Sequence, residues 1–279
     1  MLNINHCMLK YVSGLLLILL MASLPACRSS HTIRPGDTLE VAFEKAMSLY
    51  ERERYSQAAR AFETVLSIAR GTEIAADAQF YLAQSHFKNR AYIVAASEFR
   101  RFARNYSRDD RRKEAEFMEA LSHYKLSPRY NLDQTETYNA LDRFQLFVTR
   151  YPGTDHAYQA LEYMDELRDK LARKKFRAAE MYMRIREFRS AALYYGLTVE
   201  FYPETSWAER SMVSQIRAYV LFAENSVRDM QQERFQKAVE SYQQYVQIFP
   251  RGENRELAEE YYAQALTGLS RFTAATAER

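Results

Sequence analysis

Glycine and proline are scarce, at 7 and 6 among 279 residues. Hairpin-rich β architectures depend on both at their turns, so the composition argues against them. Glycines this few and this scattered also form no phosphate-cradling loop. Cysteine is scarcer still. Cys7 and Cys27 both fall in the first tenth of the chain, so the rest can hold neither a disulfide framework nor a cysteine metal site. A surplus of one charge is missing too, because 39 Lys and Arg face 36 Asp and Glu with the signs interspersed. That describes a solvated surface and gives no footprint for nucleic acid. What the chain does have is helix formers, chiefly Ala, Glu, Arg, Gln and Leu, and 47% hydrophobic residues, enough for a core. It also carries 21 Tyr and 16 Phe, whose placement is periodic.

The first thirty residues read as targeting. Lys10 precedes an apolar run from Val12 to Met21, followed by Leu24, Pro25, Ala26 and Cys27. A basic start, a short apolar stretch and a small residue before a cut describe a secretory signal. The apolar stretch is short for a permanent membrane helix. Leu-x-Ala-Cys resembles a bacterial lipobox, although Pro25 departs from the usual small or aliphatic residue. The resemblance implies a signal peptide over 1–26 and a lipid-modified Cys27 as the first mature residue. The alternative is an ordinary secreted protein cut near Ala26. Acyl chains contribute about 0.8 kcal/mol per buried methylene, so a multiply acylated cysteine would hold the chain on a membrane. Arg28 follows with no inner-membrane retention aspartate, which favours the outer membrane. Residues 27–38 are polar, with Pro35 and Gly36, and read as a lipidated flexible tether.

Internal repetition organises the remainder. An alanine with an aromatic four residues later recurs five times: Ala58 and Phe62, Ala95 and Phe99, Ala140 and Phe144, Ala191 and Tyr195, Ala238 and Tyr242. Three residues before the alanine stand Tyr55, Tyr92, Phe188 and Phe235, while the third copy has Thr137 there. Seven residues after the aromatic come Ala69, Tyr106, Tyr151, Tyr202 and Phe249, followed by proline in the last three copies. Spacings of three, four and seven lie on one helical face, and proline stops the helix. A partner helix precedes each, marked by a small residue at Ala46, Ala83, Ala120, Ala179 and Ala218. Residues 127–133 lengthen the loop of the third unit, and residues 224–233 are expected to do so in the fifth. One helix pair cannot bury its apolar face alone, whereas stacked pairs share a continuous core.

These residues resemble the tetratricopeptide repeat. The fold expected is all-α: a right-handed superhelical solenoid of five tetratricopeptide-like helix pairs over 39–272, closed by a capping helix at 255–272. Residues 273–279 read as a frayed tail. The resemblance implies that first helices line a groove, with the positions three before and four after the small residue looking inward. Those are Phe43, Tyr50, Phe80, Phe87, Phe117 and Tyr124, with Phe176 and Met183 in the fourth repeat. Such a ladder suits an extended peptide with aromatic or aliphatic side chains. Lys88, Lys125, Arg173 and Arg184 border it and could take a peptide carboxylate. The alternative is that the rings only pack between neighbouring helices.

The wording of the later repeats is more particular. Residues 92–106 (YIVAASEFRRFARNY), Asp133-Gln134, 147–154 (FVTRYPGT), 167–172 (LRDKLA), 178–183 (AAEMYM), Phe188-x-x-Ala191-Ala192 and Tyr202-Pro203-x-Thr205 follow in order. This succession resembles the BamD family, the lipoproteins of the outer-membrane β-barrel assembly machinery of Gram-negative bacteria. The resemblance implies an outer-membrane, lipid-anchored protein on the periplasmic side. It implies that nascent outer-membrane proteins offer C-terminal, aromatic-ended signals to the N-terminal groove. It also implies that the C-terminal repeats dock on a POTRA domain of the barrel protein BamA. Tyr194 is a departure, because enteric members carry a basic residue there.

Two rival readings remain. One is a Tol–Pal-associated or other envelope repeat lipoprotein acting as a scaffold, which shares the Tyr-Pro-x-Ser/Thr repeat ends. The other is an envelope enzyme or a sugar-binding lipoprotein. Against catalysis, no H-E-x-x-H helix and no G-x-S-x-G elbow occurs. His86 and His123 occupy equivalent repeat positions and read as packing. The chain is therefore expected to be no enzyme and to need neither metal nor cofactor. Trp207, the lone tryptophan, is expected to cover a repeat junction, with a partner anchor as the alternative.

Overall fold

The computed structural model describes residues 32–277, with side chains through Phe272. The signal sequence, Cys27 and the start of the tether through residue 31 lie outside the described residues. Eleven helices and no strand occur among the described residues. They form two compact units that divide between Ser85 and His86.

In the first unit, α1 (Leu39–Glu51) starts at Thr38, whose hydroxyl accepts from the Val41 amide at 3.4 Å. Asp37 accepts from the Arg34 amide and from Lys45 Nζ, each at 2.7 Å. Those two bonds, the backbone one first, hold its carboxyl below the usual range. Helix α2 (Tyr55–Ile68) packs on α1, and Ala46 of α1 and Ala58 of α2 are both fully buried. Small residues at the contact bring the helices close, leaving the neighbouring rings to fill the space. Phe62 meets Phe43 at 6.0 Å and stacks on Tyr81 of α3 (Ile74–Lys88) at 5.8 Å.

In the second unit, α4 (Tyr92–Asn105), α5 (Arg112–Leu126), α6 (Thr135–Arg150), α7 (Asp155–Arg184), α8 (Phe188–Phe201), α9 (Ser206–Glu224), α10 (Arg228–Ile248) and α11 (Arg255–Ala277) follow. From α4 onward each packs on the next in chain order. First helices of successive pairs touch as well, α5 with α7 and α7 with α9.

The periodic positions are the core. All ten marker alanines have 0% exposure: residues 46, 58, 83, 95, 120, 140, 179, 191, 218 and 238. Ala69, Tyr106, Tyr151, Tyr202 and Phe249 each cap a second helix, with their amides donating to the carbonyl four residues back. In the fifth repeat the fully buried ring is Tyr245. Tyr242 is half-buried and stacks on Tyr262 of α11 at 4.1 Å.

Three features differ from expectation. The fifth repeat has no long loop, because α9 runs to Glu224 and α10 begins at Arg228. The extra residues lengthen helices, and the corner is held by Gln231 donating to the Ser226 carbonyl and by Arg234 lying over the Phe222 ring. The last helix is described through Ala277, beyond the expected end at 272. Helix α7 is a single rod of 30 residues, about 45 Å long. Its first half buries Ala157, Ala160 and Leu167 in the core of the third repeat. Its second half buries Phe176 and Ala179 in the fourth.

Candidate functional site

The first helices carry the expected aromatic ladder, and the fold sorts it into two rows. The row three residues before the small residue is largely closed. Phe80 is 6% exposed and Phe117 is 3% exposed. Phe117 is boxed in by Phe144 at 6.0 Å, Phe147 at 5.5 Å and a stacked His156 ring at 4.4 Å. Phe176 is buried likewise, against Tyr195 and Trp207. These rings pack the core and present no face to a ligand, which corrects the expectation that they look inward. Phe43 is half-buried, as the first helix has no earlier helix beside it among the described residues.

The row four residues after the small residue keeps an open edge. Tyr50 is half-buried and leans on Tyr55 at 5.5 Å and Tyr81 at 5.2 Å within the first unit. In the second unit Phe87 leans on Tyr92 at 5.3 Å. Tyr124 meets Tyr163 at 4.4 Å, and its hydroxyl donates to the Glu166 carboxylate. Burial, helped by that carboxylate, pushes the Tyr124 phenol up to about 12. Lys88 and Lys125 are exposed, Lys125 with its ammonium 5.4 Å from the Tyr124 ring.

Met183, fourth in the same row, opens onto a cleft of about 610 Å³ between α7 and α9 and floored by α8. Arg184 lines this cleft together with Arg177, Arg217, Tyr195 and Leu221. Arg177 is tied to Glu180 at 2.6 Å. Arg217 occupies none of the repeat's marker positions. Its only signal is its place one residue before the small Ala218. Arg173, expected at the groove border, lies instead over the Tyr130 ring at 4.4 Å. Trp207 does cover a junction, between Phe176 at 5.2 Å and the Arg210 guanidinium at 4.8 Å.

His156 packs its ring on Phe117 at 4.4 Å. His123 Nδ1 lies 2.6 Å from Glu136 Oε2, which ties α5 to the first turn of α6. Among the described residues no group of three or more His, Cys, Asp or Glu is placed to hold a metal ion. None of the described helices is long and apolar enough to cross a membrane. Tyr194 is half-buried on α8, 4.9 Å from Tyr182, between the exposed Leu193 and Phe201.

Residues 35–234 match the YfiO family, described as outer membrane lipoprotein. The chain is 24% identical over 216 residues to the outer membrane protein assembly factor BamD of Rickettsia prowazekii (strain Madrid E), spanning 76% of this chain and 84% of that protein. It is 24% identical over 141 residues to the BamD of Caulobacter vibrioides, spanning 50% of this chain and 46% of that protein. Among solved structures, the TPR2AB domain of yeast Sti1 in its pHSP90 complex aligns with 83% of this chain and 99% of its own, at 12% identity and a TM-score of 0.40.

Proposed function

The chain belongs to the YfiO family of outer membrane lipoproteins, and on that footing we propose that it is a BamD-type subunit of the machinery that assembles β-barrels in the outer membrane. It works by binding and catalyses nothing. The observation that carries this reading is the extent of the family match. It runs from before α1 into α10, and so takes in the ring-bearing first helices and the whole fourth repeat.

Within that role, unfolded outer-membrane proteins present extended C-terminal segments ending in an aromatic residue. The open ring edges of Phe43 and Tyr50 in the first unit, and of Phe87 and Tyr124 in the second, give such segments stacking surfaces. Lys88 and Lys125 stand beside the second pair for a carboxylate. The C-terminal repeats dock on the periplasmic POTRA domain of a BamA-like barrel protein. With Tyr194 flanked by Leu193 and Phe201, at 59% and 50% exposure, that contact is apolar in this chain. A lipid on Cys27 holds the protein on the periplasmic side of the outer membrane.

The test is an affinity pull-down from detergent-solubilised membranes with a C-terminal tag, alongside a Cys27→Ala control that should lose membrane attachment. Recovery of a BamA-like barrel protein supports the assembly role, and Leu193→Asp should abolish that recovery. Recovery of Tol-type or peptidoglycan-linked proteins with no barrel protein would overturn it in favour of an envelope scaffold.

A further inference from the structure

The second helices carry a different kind of surface. Helices α4 and α6 stand on either side of α5 and leave a cleft of about 360 Å³. Arg100 and Arg104 enter it from α4, Arg112 from α5, and Arg143 and Arg150 from α6. Only two carboxylates, Glu116 and Glu119 of α5, oppose these five guanidinium groups.

Both carboxylates are already shared. Glu119, 5% exposed, accepts from Arg100 Nε at 2.7 Å and lies 3.2 Å from Arg143 Nε. Glu116 accepts from Arg112 Nε at 2.9 Å and from Arg150 Nη1 at 2.5 and 2.6 Å. Each carboxylate therefore fixes two arginines, and the long side chains are ordered before any ligand arrives. Positive charge remains in surplus, because Arg104 and the terminal nitrogens of Arg100 and Arg143 have no polar partner among the described residues. Neutralising the floor would need two arginines, yet five are present. Guanidinium groups crowded at the mouth of a cleft repel one another, and an incoming anion relieves that repulsion.

We propose that this cleft binds an acidic peptide segment of a partner protein, one carrying several Asp or Glu side chains. Planar carboxylates fit, because the guanidinium forks here already grip two of them. Leu146, 45% exposed on the wall, gives a neighbouring apolar side chain somewhere to rest. A recessed slot between two helices also suits a protruding peptide better than a flat lipid surface. The site is separate from the first-helix surface described above and does not depend on peptide binding there.

The experiment is a fluorescence titration of the full chain in neutral detergent with an end-blocked peptide of three glutamates and a leucine. A glutamine counterpart of the peptide serves as control, and the variants are Arg104→Gln and Arg143→Gln. The glutamate peptide should bind and the glutamine peptide should not. Arg104→Gln should weaken binding about five- to tenfold with an unchanged melting curve, since this side chain holds no internal ion pair. Arg143→Gln should weaken it as much or more. Equal binding of the two peptides, or no effect of either variant, refutes the proposal. Displacement by glycerol phosphate well beyond that by chloride at equal ionic strength also refutes it, and reassigns the cleft to phosphate headgroups.

Discussion

Three helix-pair turns in this chain are built alike on residues that resist them. Glu53, Arg90 and Arg186 have φ of 59°, 62° and 65°, the left-handed region that glycine occupies without penalty. Each sits in a Schellman closure. The Arg90 amide donates to the Phe87 carbonyl and the Ala91 amide to the His86 carbonyl, both at 2.9 Å. Glu53 with Arg54 and Arg186 with Glu187 repeat the arrangement. With no glycine to mark it, this geometry could not be read from the sequence. Arg90→Gly should stabilise the protein by about 0.5–1 kcal/mol in denaturant titrations, while Arg90→Ala should bring no gain. If both substitutions act equally, side-chain loss is the cause and backbone strain is not. Thr137, read as a break in the repeat, is a polar replacement for the missing ring. It is fully buried, donates to Gln134 Oε1 at 2.8 Å and meets Ser127 Oγ at 2.6 Å. Gln134 in turn donates to the Arg129 and Leu132 carbonyls, which closes the long loop. Tyr124 supplies a pH test. Its phenol titrates near 10 unfolded and about 12 folded, so the stability it contributes is complete below pH 10 and lost as pH rises to about 12. Tyr124→Phe should flatten the fall in melting temperature across that window. A fall of unchanged steepness would remove Tyr124 as its source.

At the scale of elements, most of the fold was legible because the marker alanines and closing residues are buried or capping for one reason, close helix approach. What was not legible came from contacts distant in sequence. The N-terminal half of α7 continues as helix because it serves the third core, and no residue between 155 and 184 is a glycine or proline to stop it. The two ring rows were indistinguishable by spacing alone. Burial of Phe80 and Phe117 depends on the helices that pack over them. Helix α11 shows the same dependence. Gly268 sits mid-helix, where glycine is disfavoured by about 1 kcal/mol relative to alanine. A Cβ there would lie 2.4 Å from Phe235 Cζ, and that ring is only 2% exposed. Gly268→Ala should therefore destabilise the docked helix by about 1–3 kcal/mol despite its better propensity. The double variant with Phe235→Leu should recover much of the loss. Additive losses in a denaturation cycle would show that the ring is not what requires the glycine. The start of α11 is pinned separately, with Glu209 of α9 accepting from the Asn254 amide at 2.7 Å and from the Tyr245 hydroxyl at 3.0 Å.

For the whole molecule, the ring edges and the arginine cleft of α4–α6 fall on separate surfaces, although α5 contributes to both. First helices present ring edges such as Tyr50, Phe87 and Tyr124. The second helices α4 and α6 frame arginines held by carboxylates of α5. The two surfaces should therefore answer differently to salt. Ring stacking depends on apolar contact and is screened little, whereas an arginine cleft that gathers several carboxylates loses Coulomb energy as the Debye length shrinks from about 10 Å at 0.1 M salt to about 3 Å at 1 M. Titrating the full chain with an aromatic-ended segment and with the acidic peptide at both salt concentrations separates them. The acidic peptide should lose more than tenfold in affinity and the aromatic segment only a few-fold, that remainder reflecting Lys88 and Lys125. Arg104→Gln should flatten the first dependence and leave the second untouched. Parallel losses for both peptides, both reduced by Arg104→Gln, would mean that they compete for one surface and that the separation has no functional meaning.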